Sequence, residues 1–349
     1  MATLEVTFAP LIEKLLGGFD LTPSEMEGFL NALEEGKVSP IQTAALLVAL
    51  RAKGESVEEI TSAARFFERK ARKLETDLSP LLDTCGTGGD RASTFNVSTA
   101  VAFLVAAAGG YVAKHGGRSV SSRSGSADVL ELAGVPIDLT PKEALRCLRE
   151  VGVVFLFAPN FHPLFAKVAP LRRELGVRTL FNLLGPLLNP MNAPYRLIGV
   201  FAKSYLGRIA QVLGRLGCRR ALVVHAEDGL DEISISSETY LAEWSHGEVR
   251  SYTVEPEMFG FKRHPLSTIQ VGGPEESLAL LRRALSGEEG PAGDIVALNG
   301  GAALYICGMA PSIEEGVQRA REILKSGRAL AKLEAVAAWR AKGSPSSPP

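Results

Sequence analysis

The sequence predicts an α/β protein, with a small N-terminal all-helical domain followed by a larger α/β domain built on a mixed, mainly parallel central sheet. Three observations lead there. The first 75 or so residues carry three helix-start signatures in quick succession. After Pro80 the texture changes to short apolar or β-branched runs alternating with longer helical segments, as in βα units around a parallel sheet. At 349 residues the chain also exceeds the size at which one core normally keeps growing.

The helical signatures are Thr22 with Glu25, Ser39 with Gln42, and Ser56 with Glu59. In each, a hydroxyl and a side chain three residues later satisfy backbone donors that a helix start leaves unpaired. Pro23 and Pro40 take the first helical position, where a missing N–H costs nothing, and Leu46, Leu47 and Leu50 follow at helical spacing. The helical domain is drawn over 1–75, joined by helices from about 163–190. The α/β domain spans 76–340, and 341–349 is expected to be a flexible tail.

In the second domain the candidate strands are Tyr111 to Ala113, Val153 to Phe157, Leu197 to Phe201 and Ala221 to His225. Helices open at Thr140 with Glu143 and at Ser312 with Glu315. The longest apolar run, Val97 through Ala113, is interrupted by Ser98, Thr99 and two glycines; it reads as a buried helix and then a strand, not as a membrane span. From Glu238 to Val254 the helical period disappears, so a strand meander makes the sheet mixed.

Composition narrows the function. Hydrophobic residues at 46% and charged residues at 22% are ordinary globular usage and argue against disorder. A formal net charge of -1 gives no global field to draw in nucleic acid, so any cationic site is local and suited to a small anion. Cys85, Cys147, Cys218 and Cys307 lie far apart without CxxC spacing, which disfavours a disulfide framework and a zinc site. With no start resembling a signal peptide, a reducing cytoplasmic location is expected.

Four segments carry chemistry. Asp83 to Asp90 contains Gly86, Gly88 and Gly89 and is followed by Phe95 to Thr99 and a helix. Glycines tolerate positive φ and close backbone approach, and the helix beginning near Ser98 offers free N–H groups, which together cradle phosphate. Read alone, the same loop fits a glycine-rich turn with Ser98 or Thr99 capping the helix. It has neither Rossmann nor Walker spacing. The second segment, Ala113 to Asp128, places three cations, five serines and three glycines in sixteen residues, a density of donors suited to wrapping a polyanion. It shares with the first a position after a strand, where open α/β sheets bind ligands.

The third segment is Gly229 to Ser234, where Asp231 and Glu232 follow an apolar strand. Paired carboxylates beside a phosphate cradle suit magnesium, a hard ion that shares its shell with phosphate and water; in isolation such a pair is more often surface charge. The fourth runs from Ala158 through His162, Arg172 and Arg178 to Pro190. Arg172 could grip a carboxylate bidentately and His162 could line an aromatic pocket. Alternatively, His162 caps a helix before Pro163 and Arg172 is a solvated helix charge.

Together and in this order, these segments resemble the anthranilate phosphoribosyltransferase family, from the N-terminal helices to about residue 335. The resemblance rests on Gly-Thr-Gly-Gly-Asp, Lys-His-Gly-X-Arg-Ser-Val-Ser-Ser, Asn-Leu-Leu-Gly-Pro-Leu-Leu-Asn-Pro and Asp-Glu-Ile-Ser. It implies a helical domain beside an α/β domain with the active site in the cleft between them, Mg2+ as cofactor, and a homodimer joined through helical domains. It implies that Gly86, Gly89, Asp90, Thr94, Asn96, Ser98, Thr99, Lys114, Ser119, Ser121, Ser122 and Ser126 hold phosphoribosyl diphosphate. Ser98, Asp231 and Glu232 would serve the metal, with Lys114, Asp231 and Glu232 as the catalytic set. Anthranilate would meet Gly86, Gly117, His162 and Arg172.

Two positions depart from the family pattern. Gly117 stands where the family usually has an asparagine that touches anthranilate, and Leu164 stands where a small alanine is usual. Both lie on the acceptor side. A pyrimidine nucleoside phosphorylase would share the fold and a Lys-His phosphate loop, and a relative with an altered aromatic acceptor is a further alternative. The Asn182 to Pro190 stretch and the Asp231–Glu232 pair fit the transferase better.

Overall fold

The computed structural model describes residues 7–88, 92–118 and 124–339. The stretch 341–349, expected as a tail, lies outside them. The chain opens with four helices, α1 (Ala9–Leu16), α2 (Pro23–Glu34), α3 (Pro40–Lys53) and α4 (Val57–Lys70). The starts of α2, α3 and α4 are the ones read from sequence: Thr22 and Ser56 close complete capping boxes with Glu25 and Glu59, and the Ser39 hydroxyl accepts the Gln42 N–H.

The α/β part alternates β1 (Leu81–Gly86), α5 (Val97–Ala107), β2 (Tyr111–Gly116), α6 (Ser126–Leu132), α7 (Pro141–Val151) and β3 (Val153–Phe157). Next come α8 (Ala158–Phe161), α9 (Pro163–Leu175), α10 (Leu180–Leu184), β4 (Tyr195–Gly199), α11 (Leu206–Arg215) and β5 (Arg220–Ala226). A hairpin of β6 (Thr239–Ser245) and β7 (Glu248–Val254) precedes α12 (Pro274–Leu285), α13 (Pro291–Ile306), α14 (Ile313–Lys325) and α15 (Arg328–Ala338). Thr140 caps α7 in a complete capping box and Ser312 caps α14.

The seven strands form one sheet in the order β3-β2-β1-β4-β5-β6-β7. The first five run parallel and the last two pairings are antiparallel, so the sheet is mixed and mainly parallel, with the strand order reversing between β1 and β4. Two differences from the sequence reading concern this centre. Strand β1 is hidden in sequence because Asp83, Thr84 and Gly86 break its apolar run. Strand β4 begins two residues before the predicted Leu197 and ends at Gly199, because it pairs with β1 and β5 only that far.

Alternation along the central strands sends side chains into two cores. Leu197 and Leu222 join a cluster with α5, α13, α14 and α15, while Ile198, Ala221 and Val223 join another with α1 to α4 and α11. Leu164, Val168, Leu180, Phe181, Leu183 and Leu187 also lie in that second cluster, so α9 and α10 pack with the N-terminal helices. Lys167 donates to the Glu34 carbonyl at 2.7 Å and Arg51 to the Arg178 carbonyl at 2.6 Å, tying the two stretches together. Among the described residues no helix is long and apolar enough to cross a membrane.

Candidate active site

The carboxyl ends of β1 and β2 sit beside the reversal of strand order, where open α/β sheets leave a crevice. The loop 227–234, leaving β5, crosses this edge. It passes so close to the end of β4 that a Cβ on Gly199 would lie 1.6 Å from the Asp231 carbonyl oxygen; only glycine permits that approach. The loop is pinned from behind by Asn299 of α13, which is fully buried. Its amide accepts the Ile233 N–H at 2.8 Å and donates to the Ile233 carbonyl at 2.8 Å. Asp228 ties the loop internally, accepting from the Leu230 N–H at 3.1 Å and the Ser234 hydroxyl at 2.6 Å.

Held this way, the two carboxylates reach different phosphate-cradle elements. Asp231 Oδ2 accepts the Gly88 N–H at 2.9 Å in the loop after β1. Glu232 Oε1 accepts the Ser98 N–H at 3.1 Å in the first turn of α5. The Ser98 hydroxyl in turn lies 3.1 Å from Lys114 Nζ, which also donates to the Thr84 carbonyl at 2.5 Å. Lys114 is buried although it carries a charge, so its partners are what make its position tolerable. Gly86, Gly88, Ser98, Lys114, Asp231 and Glu232 are thus brought into one cluster.

Of the predicted glycines, Gly88 has a positive φ of 64°, whereas Gly86 is required for space: a Cβ there would sit 2.4 Å from Asp231 Oδ2. Asn96, the residue before α5, is engaged elsewhere. Its Oδ1 accepts from Ser124 at 3.0 Å and Ser277 at 2.7 Å. Thr94 bridges to Gln270. Thr99 is buried, and among the described residues its hydroxyl has no hydrogen-bond partner. Ser126 Oγ donates to the Gly117 carbonyl at 3.4 Å. The predicted donor-site residues Gly89, Asp90, Ser119, Ser121 and Ser122 lie outside the described residues.

Of the residues expected to meet the acceptor, His162 precedes α9 but its side chain does not cap it; its Nε2 lies 2.8 Å from the Leu188 carbonyl. Its ring packs edge-on against His115, with centroids 5.0 Å apart, and His115 Nδ1 faces the Gly185 carbonyl at 3.3 Å. Burial holds both imidazoles below their ordinary pKa, that of His115 at about 3. Arg172 is half-buried, which lowers its pKa, and among the described residues no hydrogen bond or ion pair joins its guanidinium to the cluster. Sequence reading missed Gly199, Asn299 and Ser277. A glycine closing an apolar strand is the one local signal among them; the other two are polar residues in helices, and only tertiary contact reveals their role.

Two vicinal carboxylates and a hydroxyl are hard oxygen donors, a set that fits Mg2+ sharing its shell with phosphate and water. Among the described residues no group of three His, Cys, Asp or Glu side chains is placed to hold a metal.

Fold and site together define a class. The chain matches the family models described as glycosyl transferase family, helical bundle domain, over residues 9–71, and glycosyl transferase family, a/b domain, over residues 78–330. It is 54% identical to the anthranilate phosphoribosyltransferase of Alkalilimnicola ehrlichii over 91% of this chain and 94% of that one. The crystal structure of the enzyme of the same name from Thermus thermophilus superposes with a TM-score of 0.87 at 47% identity, covering 94% of this chain and 98% of that one. That of Saccharomyces cerevisiae, solved in complex with PRPP and Mg, gives 0.83 at 29% identity over 94% and 97%. The chain belongs to the anthranilate phosphoribosyltransferase family.

Proposed function

We propose that this chain transfers the 5-phosphoribosyl group of phosphoribosyl diphosphate to the amino nitrogen of anthranilate. The products are N-(5-phosphoribosyl)anthranilate and pyrophosphate, in tryptophan biosynthesis. The observation that supports this most is the convergence of Lys114, Ser98, Asp231 and Glu232 at the carboxyl ends of β1 and β2.

Because pyrophosphate leaves as an anion while the ribose becomes cationic, rate enhancement comes from positioning and electrostatic stabilisation. Lys114 faces the departing diphosphate. Gly86, Gly89, Asp90, Thr94, Asn96, Ser98, Thr99, Ser119, Ser121, Ser122 and Ser126 bind the donor, and Asp231, Glu232 and Ser98 hold Mg2+, which supplies charge neutralisation when bound. Gly86, Gly117, His162 and Arg172 face anthranilate. An aromatic amine is already neutral at pH 7 with an available lone pair, so no residue is assigned as general base.

We further propose a helical domain over 1–75 with helices from about 163–190, an α/β domain over 76–340, and a homodimer in the cytoplasm joined through the helical domains. The exposed Leu16, Phe19 and Ile41 on the N-terminal helical stretch support that interface.

The test is anthranilate fluorescence followed with purified protein, phosphoribosyl diphosphate and Mg2+. Loss of fluorescence that needs all three components is the expected outcome. Absence of turnover together with phosphorolysis of thymidine or uridine would replace this reading by a nucleoside phosphorylase.

A further inference from the structure

The ladder between β1 and β2 stops early. It sets Leu81 opposite Tyr111 and Leu82 opposite Val112 and goes no further. Yet β1 continues against β4 to Gly86 opposite Gly199, and β2 continues against β3 to Gly116 opposite Phe157. Extending the register would place Asp83 opposite Ala113 and Thr84 opposite Lys114.

In a parallel ladder, alternate residues turn their N–H and C=O to the same neighbour. Tyr111 N–H donates to Pro80 on the β1 side and Val112 N–H to Gly152 on the β3 side, so Ala113 and His115 face β1. The open seam therefore orphans the Ala113 carbonyl and the His115 N–H, and on β1 both the N–H and the carbonyl of Thr84. Buried backbone groups require partners.

Three buried side chains supply partners to the two carbonyls and to the His115 N–H. Asn189 Nδ2 donates to the Ala113 carbonyl at 2.8 Å, Asp83 Oδ1 accepts the His115 N–H at 3.2 Å, and Lys114 Nζ donates to the Thr84 carbonyl at 2.5 Å. Asn189 is itself fixed by the Met191 N–H, which its Oδ1 accepts at 2.9 Å.

We propose that Asp83 and Asn189 are positioning residues that keep the β1–β2 seam open, and so set Lys114 against Ser98 where the donor diphosphate binds. The proposal rests on the reading of this cluster as the phosphoribosyl diphosphate site. Without these polar groups, the Ala113 carbonyl and His115 N–H find partners only by closing the ladder onto Thr84. The Thr84 carbonyl then competes for its bond to Lys114, and the ammonium leaves its place.

The experiment is calorimetry of phosphoribosyl diphosphate with Mg2+ on wild type, Asn189→Leu, Asp83→Leu and Asp83→Asn, with steady-state kinetics and thermal melts. The leucine variants should bind the donor about tenfold more weakly, with KM for anthranilate within about twofold of wild type. Asp83→Asn keeps an oxygen for the His115 N–H and should stay within about threefold. Leucine variants that melt lower yet bind and turn over like wild type would make the pair merely structural and overturn the proposal. So would an Asp83→Asn as weak as Asp83→Leu, since charge and not the accepting oxygen would then be in command. If a leucine variant does not fold, Asn189→Asp carries the same test, because it keeps the acceptor for Met191 and lacks the donor for Ala113. Failure of wild type itself to bind the donor would strike the functional reading instead.

Discussion

A Cβ on Gly86 would stand 2.4 Å from Oδ2 of Asp231, so the end of β1 and the carboxylate loop after β5 fit together only because residue 86 has no side chain. The loop cannot retreat, since the Asp231 carbonyl is already against Gly199. Gly86→Ala should therefore turn the carboxylate away and break its bond to the Gly88 N–H. Loss of a charged hydrogen bond worth about 1.5–3 kcal/mol predicts a fall in kcat/KM of about 10- to 100-fold. Kinetics beside a circular dichroism spectrum check it; wild-type turnover in the variant contradicts the arrangement.

Asp231→Asn and Glu232→Gln keep shape and hydrogen-bonding oxygens while removing charge. Magnesium-dependent turnover should be abolished in the double variant with the melting transition retained. Unchanged turnover at saturating Mg2+ refutes the metal role.

Among the described residues no atom lies within 4 Å of the position a Cβ on Gly117 would take, and its φ is not positive. Asparagine therefore fits without strain, and Gly117→Asn should lower KM for anthranilate by up to about tenfold, as one hydrogen bond of about 0.5–1.5 kcal/mol allows. Titration of initial rates against anthranilate decides it; a raised KM would mean that the side chain obstructs the acceptor.

Among the described residues no ion pair holds Arg172, so Arg172→Ala should leave the melting temperature nearly unchanged. Anthranilate KM should rise by about 10- to 100-fold through loss of a charge-assisted contact, with Arg172→Lys intermediate because it lacks the planar fork. A rise confined to the donor KM would move Arg172 to the other side of the site.

Stability should fall with acidification. His115 is held from 6.5 down to about 3 by burial first and by the neighbouring His162 second, and His162 is lowered by burial as well. The unfolded chain therefore binds these protons more readily. Their contribution is whole above pH 6.5 and is lost as pH descends toward 3. Asp83 and Glu68 are raised by burial and act in the opposite sense nearer the carboxylate range, where protonation relieves a cost of folding. Melting temperature should decline from pH 6.5 to 5, and His115→Gln should flatten that slope; a slope untouched by the substitution counts against this origin.

The sequence by itself determined what depends on neighbours along the chain. Thr22, Ser56 and Thr140 announce their helices because a capping box closes within one turn. Val153 to Phe157 announces its strand because a run of apolar residues needs burial on both faces. The order of glycine, lysine and carboxylate segments likewise pointed to a phosphate-binding transferase. Tertiary structure alone decided how those segments meet. Strand β1 was obscured by Asp83 and Thr84, polar residues whose partners, His115 N–H and the Ser98 carbonyl, are on other elements. That Gly86 yields space to Asp231, that Asn299 pins Ile233, and that Asn189 fills a gap in the sheet are contacts across long sequence separations. No local pattern encodes them, because their energy arises only when distant backbone groups are buried together and must be satisfied.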